Sequence, residues 1–418
     1  MKTQINNTSL IFEPNGGKQG AEGADHGGVW YIENVLEELD APNEYYFDGE
    51  WLYYVHNSSG SIPSETVFET VELKTLFDIR GNQSDPVQNF TLDRLTLRDT
   101  AITFLDSHGL PSGGDWGLNR DGAAVRVEGT ESFKLSNCVL KSIDCSGVSI
   151  NSYNRNLLIK GNEMVSLGEN GITSWGKTYV SLYVYIYIYI DLTLTYTHTH
   201  SSGVTTRGED IQDKFSGGNI TSLPKNMGID GTNKDQPRYN QIISNIIHEI
   251  GIYQKQSSMY FQAQSCQTNI SNNIFYNGPR ANINFNDQFG GANNVQRNLI
   301  FNAVRETADH GPFNSWGRQP YITTVRDGIT KSITPAVTTI QENFIIGSYH
   351  TQEAIDNDDA SEYFNTSSNF FVYGGQGLKS DFVRCVRVYV FLFTDYNISH
   401  ICYREDMITI TSTMFTHT

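Results

Sequence analysis

The sequence predicts an all-β chain wound into a parallel β-helix solenoid. First, an asparagine recurs just before an apolar pair. Asn137, Asn162, Asn245, Asn273, Asn298, Asn343 and Asn369 sit in KLSNCVL, IKGNEMV, IISNIIH, ISNNIFY, VQRNLIF, IQENFII and TSSNFFV. Second, four of the six intervals are 25, 28, 25 and 26 residues, the period of units that cannot bury an apolar face alone and must stack on one another. Third, apolar and polar positions alternate within each unit, and Gly, Asn and Ser abound, which opposes helical repeats and suits short strands. Strands of successive turns then pair in register with apolar side chains stacked inside. An Asn at the same turn of every coil can adopt the left-handed conformation and bond to the Asn above and below it.

Residues 1–85 precede the coils as a small β-rich segment. EYYF-DG-EWLYYV reads as a hairpin, an Asp-Gly turn between aromatic strands. Its Trp51, Tyr53 and Tyr54, with Trp30 upstream, serve either as packing or as a sugar-stacking platform. The opening MKTQINNTSLIFEPNGG lacks the long apolar core of a signal peptide.

The coils are expected over residues 86–382, interrupted at 178–225. Asn162 to Asn245 spans 83 residues, where one or two coils need roughly 25 to 50. Within the surplus, residues 179–200 read YVSLYVYIYIYIDLTLTYTHTH. Alternating Tyr-Ile and Thr-His are what TATATA and ACACAC repeats encode, so the stretch reads as translated non-coding sequence, with an edge strand as the structural alternative. It is too short of apolar residues, and broken by Asp191, for a membrane span. Residues 383–418 form a tail outside the coil pattern, which would leave the last coil an open edge.

At 418 residues the chain can hold one long domain, and its net charge of -17 argues against nucleic acid as a partner. The five cysteines, Cys138, Cys145, Cys266, Cys385 and Cys402, have no metal-ligand spacing and are too few for a disulfide framework. Sequons at Asn57, Asn82, Asn89, Asn219, Asn269 and Asn365 mildly favour secretion.

Aligning the coils on their Asn sets a strand register. With Val148, Ile172, Met259, Ile283, Ala308, Ile355 and Leu378 inward, the next residues point outward. That column is Ser149, Thr173, Tyr260, Asn284, Asp309, Asp356 and Lys379, and two residues on it continues as Asn151, Trp175, Gln262, Asn286, Gly311, Asp358 and Asp381. Uncharged groups thus give way to charged ones in the late coils. Asp287, Asp309, His310, Asp356, Asp358, Lys379 and Asp381 would line one face at strand spacings of about 4.8 Å. Neighbouring carboxylates at roughly 5 to 9.5 Å supply the acid and base of glycoside cleavage, and closeness raises one pKa above the other. The segment RETADHGPFNSWGRQPY adds Arg305, Asn314, Trp316 and Arg318 on a loop beside that face. DNDDA at 356–360 offers oxygens for calcium but lacks the Asp-x-Asp-x-Asp-Gly loop.

The Asn-marked coils from about Asn89 to Phe382, with HGGVWY and EWLYY before them, resemble the right-handed parallel β-helix family of pectin-lyase-like, carbohydrate-active proteins. The resemblance implies a secreted protein acting on a polysaccharide, with no resident cofactor. It leaves open a glycoside hydrolase, a polysaccharide lyase or epimerase, and a non-catalytic glycan-binding or structural solenoid. The residue reading makes Asp309 and Asp356 the acid/base pair, with Asp287 and Asp358 as alternates and His310 as a positioning group. Lys379, Asp381, Arg305, Asn314, Trp316 and Arg318 would contact substrate. Partners are expected to be a polysaccharide alone, with no nucleic acid, no membrane span and a monomeric chain.

Overall fold

Alternation of apolar and polar residues within short strands produces a coil whose every turn visits three faces. The computed structural model describes residues 4–6, 9–11, 33–57, 62–106, 108, 118–176, 235–286, 291–307, 310–316, 337–347, 351–358, 361, 363–373, 377–380 and 387–393. Face A includes Ser146–Arg155, Ile172–Trp175, Tyr260–Ala263, Ile283–Asn286, Phe313–Trp316, Ile355–Asp358 and Leu378–Ser380; face B includes Lys134–Ser136, Leu158–Lys160 and Gln241–Ile243; face C includes Val139–Ile143, Glu163–Leu167 and Ile246–His248. All pairings between turns are parallel, so the predicted β-helix is the fold.

The core is a set of columns. Leu92, Leu135, Ile159, Ile242, Ile270, Val295 and Ile340 lie in register on face B, and Leu97, Leu140, Met164, Ile247, Phe275, Ile300 and Ile345 on face C. Each is buried. At about 1.5–3 kcal/mol for burying one such side chain, the columns supply the main driving force.

Between faces B and C runs the asparagine ladder. The Nδ2 of Asn162 donates to Asn245 Oδ1 at 2.9 Å, and the pattern repeats from Asn245 to Asn273, Asn273 to Asn298, Asn298 to Asn343 and Asn343 to Asn369 at 2.9–3.0 Å. The backbone N–H of the lower residue joins the same acceptor in each step. Asn137 does not belong to the column: it is Cys138 whose N–H donates to Asn162 Oδ1, at 2.9 Å. Asn137 itself is left-handed, with φ 55°, as expected; in the other coils that conformation falls one residue earlier than predicted, at Gly161, Ser244, Asn272, Arg297, Glu342 and Ser368, with φ between 55° and 70°. The physical division is clear: the residue before turns the chain, and the ladder residue fills the buried corner left by that turn.

Leu158–Lys160 pairs directly with Gln241–Ile243, and Ile172–Trp175 with Tyr260–Ala263. The strands that flank the 83-residue step thus stack as consecutive coils, and both Trp175 and Pro237, on either side of the undescribed stretch, pair with the face A strand Ser146–Arg155. The predicted insert at 178–225 lies outside the described residues. The predicted tail is corrected in part, because Arg387–Phe393 pairs parallel with Phe364–Val372 and adds a strand to the stack. A tail rich in Val, Phe and Tyr pairs through backbone groups without needing the coil motif.

Residues 23–72 form a compact unit of their own. Its hairpin joins Tyr45–Phe47 to Leu52–Tyr54, antiparallel, with Phe47 opposite Leu52. The connection is thus a four-residue loop rather than a two-residue Asp-Gly turn, with Gly49 at φ +104°. Asn34 clamps one strand by bonding both the N–H and the C=O of Phe47 at 2.9 Å. Trp30 lies outside the described residues.

Candidate functional site

The register of face A corrects the predicted columns. Ile172 aligns with Tyr260, then Ile283, Phe313, Ile355 and Leu378, so Tyr260 points into the coil where Met259 was expected, and Phe313 replaces Ala308. The outward column is Ser149, Thr173, Phe261, Asn284, Asn314, Asp356 and Lys379. The second is Asn151, Trp175, Ala263, Asn286, Trp316 and Asp358. Asn314 thus holds the place assigned to Asp309, and Trp316 that assigned to Gly311. The miss comes from the variable loop between faces C and A: counting from the Asn cannot see how many residues it absorbs. Asp309, Asp287, Asp381 and Arg318 lie outside the described residues.

The column also extends toward the first coil through Arg126 and Asp78. There Arg126 meets Asp78 at 3.2 Å, Asp121 at 3.0 Å and Glu128 at 2.5 Å. Charge is therefore not confined to the late coils, as the sequence suggested. The early group is a buried arginine surrounded by carboxylates, and these pairs neutralise it.

The late group differs, with carboxylates and one cation packed across two turns. Lys379 Nζ lies 3.3 Å from Asp356 Oδ1 and 3.0 Å from Asp358 Oδ1. His310 Nδ1 is 3.7 Å from the other oxygen of Asp356. Alternation along Ile355–Asp358 puts both acids on the outer side, and the register sets Lys379 directly above Asp356. Asp356 is fully buried. Burial drives its carboxyl above the ordinary range, opposed by the facing His310 imidazole and the Lys379 charge and reinforced by the Asp358 charge. Asp358 is more open, with 17% of its side chain exposed. The Lys379 ammonium sits between the two acids, where a calcium ion would have to be held. Among the described residues no cluster of His, Cys, Asp and Glu could hold a metal.

Asn314 and Trp316 do join this face. Asn314 Nδ2 donates to Asn284 Oδ1 at 2.7 Å, extending a polar line one turn down. Trp316 is only 6% exposed and packs in an apolar cluster with Trp175, Phe261 and Ala263. It is a wall, not the open sugar platform expected of it. Arg305 goes elsewhere: it follows the face C strand Leu299–Phe301 and pairs with Glu249 at 3.5 Å.

A second buried acid–histidine pair gave no signal in the sequence, because its members are far apart and share no motif. Glu169 is fully buried, accepts from Thr103 Oγ1 at 2.6 Å and from Ser146 Oγ at 3.3 Å, and lies 3.4 Å from His108 Nε2. Burial pulls the His108 pKa down, but the close Glu169 carboxylate and the bond of Nδ1 with the Asp106 carbonyl, at 2.8 Å, outweigh this, so the net shift is upward. The imidazolium is therefore favoured in the folded state. Its stabilisation is complete below the unfolded value of about 6.5 and is lost as pH rises through the raised folded value. Thermal melts of His108→Ala are expected to show a large deficit against the parent at pH 5.5 and a smaller one at pH 8.5; equal deficits would contradict the charged pair.

Among the described residues no helix is long and apolar enough to cross a membrane. No family model and no curated protein matches the chain. A solved structure titled "Glycoside hydrolase" aligns with TM-score 0.50 and 15% identity over 85% of this chain and 54% of that one. The Azotobacter vinelandii mannuronan C-5 epimerase AlgE6 A-module aligns with TM-score 0.38 and 11% identity over 71% of this chain and 57% of that one. The chain thus spans about half the length of either structure, and it shares with the first the fold that its own parallel ladders define, a β-helix solenoid.

Proposed function

We propose that this chain is a carbohydrate-active protein that cleaves a glycosidic bond of a polysaccharide at Asp356 and Asp358. The observation that carries this reading is the late cluster: a buried carboxyl with a raised pKa beside a more open one, both within 3.3 Å of the same lysine nitrogen. Two carboxylates sharing one ammonium stand at most about twice that distance apart. This is compatible with the roughly 5–5.5 Å of retaining glycosidases. Asp356, whose carboxyl burial pushes above the ordinary range, is the general acid; Asp358 is the second carboxylate; Lys379 and His310 position Asp356. Asn314 is the residue aligned with Asp356 in the neighbouring coil, so Asp358 is taken as the partner acid. The fold shared with a solved glycoside hydrolase supports the class of activity by analogy, and an extracellular location belongs to the same proposal.

Complete burial of Asp356 and near-complete burial of Trp316 favour a second reading, in which the cluster is a structural ion-pair stack in a non-catalytic solenoid. A polysaccharide panel followed for both reducing ends and unsaturated products separates the readings. New reducing ends without unsaturation support hydrolysis, unsaturated products support β-elimination, and no product on any substrate would leave the structural reading.

A further inference from the structure

The compact unit of residues 23–72 contains 11 Asp and Glu residues and no Lys or Arg. Against a whole-chain net charge of -17, the greater part of the net negative charge is concentrated in this short unit. Its hairpin presents aromatic rings that the unit does not cover: Trp51 is 64% exposed and Tyr53 44%. Trp51 ends the loop and Tyr53 follows it in the strand Leu52–Tyr54, and Tyr46, the cross-strand partner of Tyr53, adds a third ring 5.9 Å from that of Tyr53. The loop fixes them without a core beneath. Asp48 accepts the N–H groups of Glu50 at 2.8 Å and Trp51 at 2.6 Å, and the Tyr53 hydroxyl at 3.3 Å. Those bonds, led by that from Trp51, hold the Asp48 carboxyl below its usual range, so it stays ionised in mild acid.

Ring faces accept the apolar faces of sugars and attract cations through their quadrupole. Carboxylates around them, in a unit whose basic groups are His26 and His56 alone, add attraction for a positive ligand and repel an anionic one. From this charge complementarity we infer that the Trp51–Tyr53 hairpin binds a glycan bearing protonated amino groups, an amino-sugar polymer. The inference rests on the carbohydrate reading above and narrows its substrate class.

The test uses the full chain carrying Asp356→Asn, so that no ligand is consumed, titrated calorimetrically with chitosan oligosaccharides at pH 5.5 and low salt. Fully N-acetylated oligosaccharides and an oligolysine peptide are the comparison ligands. The chitosan is expected to bind, with the acetylated ligand at least about tenfold weaker and affinity falling as salt screens the carboxylates. Trp51→Ala should raise Kd by about tenfold, the upper range for losing a cation–π partner, and Glu50→Gln by less, both without change in melting temperature. Equal binding of the acetylated ligand, tighter binding of oligolysine, or no binding at all overturns the inference. So does a Trp51→Ala chain that melts earlier but binds normally, since the ring would then be packing. Since binding is read without turnover, an inactive coil cluster would refute the catalytic proposal and leave this result standing.

Discussion

Asn273→Ala is expected to be among the most destabilising single substitutions in the coil, lowering stability by about 3–6 kcal/mol. Three buried polar groups lose partners at once: the backbone N–H and the Nδ2 of Asn245, which donate to Asn273 Oδ1, and the carbonyl of Ile242, which accepts from Asn273 Nδ2. Each orphaned group costs about 1–3 kcal/mol in a dry interior, and whole domains are stable by only about 5–15 kcal/mol. Alanine is too small to supply any of these bonds, and the sites lie where water does not reach. The comparison is Asn137→Ala. Asn137 is solvent-exposed, its amide makes a single bond to Asp93 at 2.9 Å, and its φ of 55° costs alanine some strain, so about 1–2 kcal/mol is expected. Urea unfolding monitored by far-ultraviolet dichroism reads both variants. Similar midpoints for the two would contradict the distinction between the buried ladder and the turning residue that precedes it.

Asp356→Asn and Asp358→Asn should each reduce turnover by about two or more orders of magnitude, the range for removing a general acid or base. Neither amide can donate or accept the proton that cleavage requires, while size and packing are kept. The pH profile gives an independent reading. Because burial raises the Asp356 pKa, its acid form persists above the ordinary carboxylate range, and kcat/KM should fall as pH rises through that value. The same sign holds for stability. A buried carboxyl with a raised pKa stabilises the fold below the unfolded value of about 3.9, and that contribution is lost as pH rises through the folded value. Full activity in both variants on a substrate that the parent cleaves would remove these acids from the mechanism.

The repeat of Asn before an apolar pair determined the architecture, because a solenoid writes the same local problem into every turn. One buried corner must be hydrogen-bonded and two inward strand positions must be apolar, whatever lies between. Ile172, Ile283, Ile355 and Leu378 could therefore be placed on one inward column from sequence, and Asp356, Asp358 and Lys379 on one outer face. Tertiary structure alone decided what the loops absorb. The loop between faces C and A varies in length, so offsets counted from the Asn placed Asp309 beside Asp356, whereas pairing of backbone groups put Asn314 there. It decided too that the outer side of face A is buried, which turns Trp316 into a wall and raises the Asp356 pKa. It brought His108 to Glu169 across distant turns. A strand's periodicity reports which side of the sheet a residue takes; which residues meet, and how much water remains between them, depends on how many residues each turn spends before the next strand begins.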